Sequence, residues 1–387
     1  MTINKTIAIV GGGPGGLTLA RLLQIAGFEV KVYERDLNKD ERIQGGTLDL
    51  HEDSGLKALK KANLMDAFIE NYRHGADKMR VLDNFANIHY DQHLETRVEN
   101  FGDENFRPEI DRGTLRDILL ESLKPDTIVW DKQVVSILEN QNSWQINFKD
   151  GTTSVADILI GADGGNSKIR PIVTQSNPIY SGITIIEGSI YNSEKNCPEI
   201  HKILKDGKIF AFGNEQSIIV SSKGDGSMSF YTGCKTDEFW FRNCGIDFKN
   251  KEQVLNWFKK DFAEWNIIWQ ELFINDKTTF IPRPQYYMPL DQTWETKPNI
   301  TIIGDAAHLM PPYAGEGVNM AMLDALELSE CLINENFKDI NLAIGQYEQQ
   351  MRKRATEITK MTLEQTESLH STNALKIILE MFGEQQA

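Results

Sequence analysis

The first residues whose spacing suggests a chemical role form a glycine-rich run near the start of the chain, GGGPGG. This run fits the pattern G-x-G-x-x-G at Gly11, Gly13 and Gly16. In such a turn the first glycine permits a tight bend after a strand, the second lets the backbone approach a pyrophosphate, and the third lets a helix pack close to the sheet. Glu34 follows eighteen residues after Gly16, where a carboxylate can accept hydrogen bonds from ribose hydroxyls. The run therefore predicts dinucleotide binding and leaves NAD and FAD as alternatives.

A strand, a helix and a second strand must hold this turn in place. We predict them at Thr6 to Val10, Pro14 to Ala26 and Val30 to Tyr33, because apolar residues recur at helical spacing between two apolar runs. Between about 178 and 295 the pattern changes to short alternating strands and an aromatic-rich helical stretch, which predicts an inserted, sheet-based second domain. Further helices are predicted at 54–72, 114–123, 251–273, 316–333 and 339–369, and a buried strand at 300–303.

Two later motifs follow, GADGGNSKIR at 161–170 and GDAAHLMPPYAGEGVN at 304–319. With the first run, they resemble the group A FAD-dependent monooxygenases, the p-hydroxybenzoate hydroxylase-like class. The runs at 33–36, 42–51 and 109–112 further resemble the tetracycline-inactivating flavin monooxygenases. The resemblance implies an α/β fold in three parts. These are a Rossmann-like FAD-binding domain at 1–177 and 296–335, an inserted antiparallel-sheet substrate domain at 178–295 and C-terminal bridging helices at 336–387.

The resemblance also implies FAD and NADPH as cofactors and hydroxylation through a flavin C4a-hydroperoxide, so no catalytic side chain is predicted. Asp305 would hold a ribityl hydroxyl, and the helix after Gly315 would direct its positive end at the flavin pyrimidine edge. Arg42 would serve the approach of NADPH or the flavin edge, and Arg112 would contact FAD; a surface salt bridge is the alternative for both. A purely structural role remains an alternative for Asp163, and His308 is predicted to be structural. The predicted cofactor-binding residues are Gly11, Gly13, Pro14, Gly16, Glu34, Arg35, Arg42, Leu48, Asp49, Arg112, Asp163, Asp305, Pro312, Gly315, Gly317, Val318 and Asn319.

The predicted substrate-binding residues are Glu187, Lys208, Ser229, Tyr313 and Gly315. At the first three positions the tetracycline-inactivating enzymes use a glutamine, an arginine and a histidine, and Glu316 replaces the more usual glutamine of the late turn. Such changes alter charge and hydrogen bonding where a substrate would lie. Tetracycline is the predicted substrate. The alternatives are another phenolic or heteroaromatic compound, or a flavin- and ligand-binding sequestration or sensor protein without turnover. We also expect the segment Thr372 to Phe382 to cover the substrate site.

Composition restricts the partners. The chain has 387 residues and a formal net charge of −15, which argues against nucleic acid because that partner needs a basic surface. Its four cysteines lack C-x-x-C or zinc-like spacing, which predicts free thiols in a reducing compartment. His89 and His93 lack an evident third ligand, so no metal site is predicted. Without a signal peptide or a bilayer-length apolar run, we expect a cytoplasmic monomer that binds a small-molecule substrate and oxygen, and no membrane.

Overall fold

The computed structural model of the protein describes residues 5–41, 45–95, 99–103, 105–275 and 278–384. In chain order its strands are β1 (Thr6–Val10), β2 (Glu29–Tyr33), β3 (Leu48–Asp49), β4 (Met79–Asp83), β5 (Ile88–Asp91), β6 (Glu109–Ile110), β7 (Ile128–Val129), β8 (Val134–Asn140), β9 (Ser143–Phe148), β10 (Thr153–Ala156), β11 (Ile158–Gly161), β12 (Ile179–Ile190), β13 (Lys208–Gly213), β14 (Gln216–Ser222), β15 (Met228–Lys235), β16 (Thr279–Tyr287) and β17 (Ile300–Ile302). Its α-helices are α1 (Pro14–Ile25), α2 (Gly55–Lys61), α3 (Met65–Asn71), α4 (Arg112–Glu121), α5 (Arg170–Val173), α6 (Ser193–Asn196), α7 (Pro198–Leu204), α8 (Trp240–Asn243), α9 (Lys251–Asp261), α10 (Glu271–Ile274), α11 (Asp305–His308), α12 (Gly317–Ile333), α13 (Ile340–Leu369) and α14 (Ala374–Glu384).

A parallel sheet of five strands, in the order β17-β11-β1-β2-β7, forms the first layer. Its central strands are apolar and buried, as expected when helices cover both faces of a parallel sheet. Helices α1 and α12 pack against each other beside it. Because β1, β11 and β17 are parallel, the loops that follow them leave from the same edge of the sheet. Those loops carry the three sequence motifs.

The second sheet has seven strands in the order β16-β12-β15-β14-β13-β4-β5. One face packs on α7, α9 and α10 through an apolar cluster that includes Trp257, Phe258 and Phe273. Phe230 of β15 belongs to this cluster, so strand alternation places its neighbours Ser229 and Tyr231 on the opposite face. That opposite face is turned toward the motif loops.

Two strands of this sheet lie outside the segment that the sequence pattern predicts. Strand β4 pairs in parallel with β13, and β5 pairs with β4 at the sheet edge. Only two residues of β4 are buried and its partner lies far along the chain, so local alternation gives no signal for it. The other edge is β16, whose Pro282 and Pro284 are tolerated because an edge strand need not donate every ladder hydrogen bond. The domain boundaries at 178 and 295 stay a prediction.

The predicted α/β architecture, with a parallel sheet, a second sheet and a long C-terminal helix, is confirmed. Helix α13 spans 30 residues and contacts α11, α12 and β17, and its N-terminus is capped by Asp339. The single helix predicted at 54–72 is wrong: α2 and α3 are separate because Asn63 adopts a φ of 57°, a left-handed conformation that ends a helix. Among the described residues, no helix has the length and apolar character needed to span a bilayer.

Candidate functional site

The glycine-rich turn after β1 has the close packing that its sequence predicts. Gly11 has a φ of +111°, and a Cβ there would lie 2.2 Å from the Ala162 carbonyl oxygen. A Cβ on Gly16 would lie 2.2 Å from the Gly11 carbonyl oxygen, so α1 can approach the turn only without a side chain. Around Gly13, by contrast, no atom lies within 4 Å of the Cβ position. The turn is therefore packed on two sides and open at the position predicted to face a pyrophosphate.

The side chain of Glu34, at the end of β2, packs against this turn. Its Oε2 accepts a hydrogen bond from the Gly12 backbone N–H at 2.7 Å, and its Oε1 accepts one from Asp36 N–H at 3.1 Å. The side chain is buried. Glu34 therefore holds the turn through two backbone N–H groups.

The loop after β11 carries Asp163, which is only partly satisfied by the protein. Its Oδ2 accepts a hydrogen bond from Lys168 N–H at 2.6 Å, whereas its buried Oδ1 has no partner in the described part of the chain. Burial raises the pKa of this carboxyl. Arg170 donates to the carbonyl oxygens of Gly165, Asp305 and Ala306, at 2.7 to 2.8 Å, and so fastens this loop to the one after β17.

Asp305 begins α11 at the centre of the candidate site. Its side chain is accessible to solvent, yet the surrounding protein raises the pKa of its carboxyl by desolvation, against the opposing charges of His308, Arg112 and Arg170. A carboxylate that is both accessible and desolvated lies in a cleft. His308 is turned away, with its Nε2 2.6 Å from the buried Asp324 carboxylate. This geometry agrees with the structural role predicted for His308.

The turn before α12 is tied to β3 through Asn319, which is fully buried. Its Nδ2 donates to the carbonyl oxygens of Asp49 at 2.9 Å and Gly315 at 3.3 Å, and its Oδ1 accepts from His51 N–H at 2.9 Å. Gly315 has a φ of +71°, and its Cβ position lies 3.2 Å from both Asp49 carboxylate oxygens. No atom lies within 4 Å of the Cβ position of Gly317, so the first residue of α12 borders open space.

The remaining predicted cofactor residues differ in burial and position. Leu48 is buried, and Pro14 occupies the first turn of α1. Arg35 and Pro312 are exposed. Val318 packs against the apolar cluster beneath α2. Arg42 lies outside the described residues.

The second sheet presents its polar face to these loops. Glu187 of β12 and Tyr231 of β15 are direct cross-strand partners, and the Tyr231 hydroxyl accepts a hydrogen bond from Gly46 N–H at 3.1 Å. Glu187 forms an ion pair with Arg283 of β16. Ser229 is fully buried, and its Oγ has no hydrogen-bond partner among the described residues. Glu187 and Ser229 are thus interior residues of this interface.

Lys208, another predicted substrate residue, is already paired with the protein. Its Nζ forms an ion pair with Glu109 of β6, whose side chain is 1% exposed. Burial opposes protonation of Lys208, but the charges of Glu109 and Asp49 outweigh it and raise the pKa of the ammonium group. Lys208 therefore joins β13 of the second sheet to β6.

Tyr313 belongs to a buried polar group that the sequence did not reveal. The Nε2 atom of His370, at the end of α13, lies 3.3 Å from the Tyr313 hydroxyl and 3.2 Å from Ser217 Oγ. His370 Nδ1 is 2.8 Å from the Thr366 carbonyl oxygen, so Nδ1 donates and Nε2 accepts. Burial lowers the pKa of His370 to about 4, which keeps the ring neutral near pH 7. In the sequence, the alternation of Ser217 with the apolar Ile218 could have indicated that Ser217 lies on the polar face of its strand. No local pattern of residues indicates that His370 joins this group.

The predicted cover of the substrate site, Thr372 to Phe382, contains most of α14, which contacts β4 and β13. Phe382 stacks on Tyr90 of β5, with ring centroids 5.0 Å apart. Met381 is 41% exposed. The segment therefore packs on β13, β4 and β5, toward one edge of the second sheet, and its predicted role as a cover of the substrate site stays a prediction.

Together these features fit a bound FAD. There is open space at the Cβ positions of Gly13 and Gly317, and the Asp305 carboxylate is accessible. On or beside the same loops lie two buried polar atoms without a partner in the described chain, Asp163 Oδ1 and Arg112 Nε. Unpartnered buried polar atoms are costly, and ligand atoms can satisfy them.

Comparison with known proteins gives a consistent result. A family model described as "FAD binding domain" matches residues 4–362. The monooxygenase asqM of Emericella nidulans is 28% identical over 376 residues, covering 84% of this chain and 83% of that protein. The 6-hydroxynicotinate 3-monooxygenase of Pseudomonas fluorescens is 25% identical over 389 residues, covering 95% and 92%.

Two solved structures show the same fold. HpxO of Klebsiella pneumoniae, complexed with FAD and uric acid, superposes with a TM-score of 0.77 at 20% identity, covering 98% of this chain and 92% of its own. Tetracycline destructase Tet(51) superposes with a TM-score of 0.72 at 19% identity, covering 100% and 96%.

Proposed function

The chain belongs to the FAD-binding domain family and is an FAD-dependent monooxygenase, and from this premise we propose that it uses NADPH to hydroxylate an aromatic or polyketide-like substrate, with tetracyclines as the first candidates. The enzyme class predicted from the three motifs is confirmed. The choice of NADPH over NADH rests on the resemblance described above. The sequence has no second G-x-G-x-x-G, which suits a class without a separate nicotinamide domain.

The observation that carries the proposal is the position of Arg112 between the two layers. Its buried Nε has no partner among the described residues and lies 3.8 Å from the Cβ position of Gly45. Its positive charge opposes the rise in pKa both of Asp305, in the loop after β17, and of Tyr231, in the second sheet. A buried guanidinium Nε–H that has no partner among the described residues favours, at this junction, a ligand that reaches both Asp305 and the second sheet.

When bound, FAD supplies the redox and oxygen chemistry, because its reduced ring reacts with molecular oxygen. The chain supplies position and electrostatics. Asp305 would accept a hydrogen bond from a ribityl hydroxyl, and the N-terminus of α12 favours negative charge near it. The second sheet turns its buried polar residues Ser229 and Glu187 toward the same loops.

The substrate proposal is supported by the polar groups of that face. Ser229 Oγ and the Glu187 carboxylate lie around the Gly45–Gly46 segment, where they can bind the carbonyl and hydroxyl groups of a polycyclic substrate. A site built from such groups rejects substrates that leave them unpaired.

The decisive experiment is a mass spectrum of tetracycline after incubation with purified protein, FAD, NADPH and air. We expect the mass of one oxygen atom to be gained, with label incorporated from 18O2, only when both protein and NADPH are present. Arg112→Gln should lower the yield strongly, whereas Arg242→Gln, an exposed arginine on α8, should not. Unchanged tetracycline from protein that binds FAD would refute the tetracycline proposal.

A second candidate is a smaller phenolic or heteroaromatic substrate. It is favoured by the ion pairs Glu187–Arg283 and Lys208–Glu109, which neutralise groups that a large polar substrate would otherwise bind. Substrate-stimulated NADPH oxidation with urate, 6-hydroxynicotinate and simple phenols would identify it. If FAD is bound and no compound stimulates oxidation, the result favours a sequestration or sensor protein.

A further inference from the structure

His51 lies between two carboxylates at the N-terminus of α12. Its Nε2 is 3.0 Å from Asp49 Oδ2, and its Nδ1 is 3.6 Å from Glu316 Oε1. The side chains of His51, Asp49 and Glu316 are only 9%, 21% and 14% exposed, so water does not readily replace either contact. The functions proposed above use neither His51 nor Glu316.

The number of protons on this cluster decides whether both contacts can hold. A neutral imidazole has one N–H donor and one acceptor, and an imidazolium has two donors. With Asp49 and Glu316 both ionised, a neutral His51 can satisfy only one of them. One additional proton satisfies both, either on the imidazole or on Glu316, whose carboxyl would then donate to Nδ1.

The surrounding charges favour retention of that proton. Burial raises the pKa of Glu316; the charges of Asp49 and Asp53 add to this effect, and those of His51 and Arg107 oppose it.

Asp49 itself remains ionised. Burial alone would raise its pKa, but the hydrogen bond from His51 and the charges of Lys208 and Arg107 lower it to about 2. Glu109, on the neighbouring strand β6, is paired with Lys208. The proton that both contacts require therefore lies in the contact between His51 and Glu316 and not on Asp49.

This cluster is joined directly to the turn predicted to bind the flavin. Glu316 lies between Gly315 and Gly317, and Asn319 binds the backbone of both Asp49 and His51. Loss of one contact on the imidazole would therefore loosen β3 from the turn.

We propose that His51 and Glu316 hold one exchangeable proton, and that this proton is needed for tight FAD binding because it keeps β3 and the turn before α12 together. Both are positioning residues that act through Asp49 and the turn. Because the protonated cluster binds FAD better, FAD binding favours proton retention. The dissociation constant should therefore rise with pH, by at most about tenfold per pH unit for one linked proton.

The test measures the FAD dissociation constant of the apoprotein by flavin fluorescence from about pH 5 to about pH 9, a range that lies above the ordinary pKa of a glutamate, since the pKa of Glu316 is raised. In the wild-type protein the constant should rise across this range. Glu316→Gln should bind FAD tightly at every pH, because its amide donates to His51 Nδ1 while Nε2–H donates to Asp49. Asp53→Asn removes a nearby acid that does not contact His51 but whose charge raises the pKa of Glu316, so it should keep a pH dependence of the same size, displaced toward lower pH.

Three outcomes would overturn the proposal: a wild-type constant that does not change with pH, a Glu316→Gln protein that keeps the wild-type pH dependence or binds FAD weakly throughout, or an Asp53→Asn protein that shows no pH dependence. Circular dichroism of each variant would show that it is folded. The experiment uses FAD alone, so its result is independent of the substrate proposed above.

Discussion

Replacing Asn319 by alanine tests whether the tie between β3 and α12 organises the site. The side chain makes two hydrogen bonds of 2.9 Å, one from His51 N–H and one to the Asp49 carbonyl oxygen, and a longer one to Gly315. Alanine removes all of them and adds no new partner. The fold around the turn is otherwise unchanged, since Asn319 lies in the first turn of a 17-residue helix.

The magnitude follows from what each partner loses. The His51 N–H is buried and would be left without an acceptor, which costs about 1–3 kcal/mol. The Asp49 carbonyl is partly buried and can recover water, so its lost bond costs about 0.5–1.5 kcal/mol. We expect the free energy of unfolding to fall by about 2–4 kcal/mol. FAD binding must then order the turn, so its dissociation constant should rise at least about tenfold, which corresponds to 1.4 kcal/mol.

Urea denaturation of the apoprotein and FAD titration by fluorescence would measure both effects. Ser54→Ala is the matched control, because Ser54 Oγ contacts the same Asn319 oxygen at 3.4 Å, too long for a strong bond. It should cost less than about 1 kcal/mol. A loss below about 0.5 kcal/mol in Asn319→Ala, with unchanged FAD affinity, would refute the assignment of Asn319 as the tie.

Three further predictions concern the interface between the layers and its edge. Lys208→Met leaves the buried Glu109 carboxylate without its partner and should lower the free energy of unfolding, measured by urea denaturation, by about 3–5 kcal/mol. The double variant Lys208→Met/Glu109→Gln should recover most of this loss, and no recovery would contradict the pairing. Gly233→Ala places a Cβ 2.5 Å from each of three polar atoms and should cost about 1–3 kcal/mol, so an unchanged melting temperature would argue against that packing. Burial opposes ionisation of Asp91, but Arg80 lowers the pKa of its carboxyl to about 2. Its stabilisation is therefore present above the ordinary value of 3.8 and lost as pH falls toward 2, and Asp91→Asn should flatten that acidic part of the stability profile.

The cofactor side of the site could be predicted because its information is local. The glycines at 11, 13 and 16 directly follow a strand and open a helix, and each motif loop follows a buried parallel strand. Parallel strands bring the ends of such loops to one edge whatever their separation in the chain. The general location of Asp163 and Asp305 therefore followed from motif order.

The substrate side could be predicted only in part. The resemblance supplied Glu187 and Ser229 as candidates, and the register of β12 on β15 places both on one face of the second sheet. The contacts of that face could not be predicted, because Arg283, the partner of Glu187, lies on an edge strand, and Gly46, the partner of Tyr231, lies in a distant loop.

The sequence by itself therefore determined the class of fold and the glycine turns, since these depend on contiguous residues and on the periodicity of buried strands. The choice of FAD over NAD came from the resemblance of the three motifs to the group A monooxygenases. Only the tertiary structure decided that Lys208 pairs with Glu109 and that His51 lies between Asp49 and Glu316. Such pairings join residues from separate strands, helices and loops. Their energies depend on burial and on the distance between charges, which no local pattern of residues encodes.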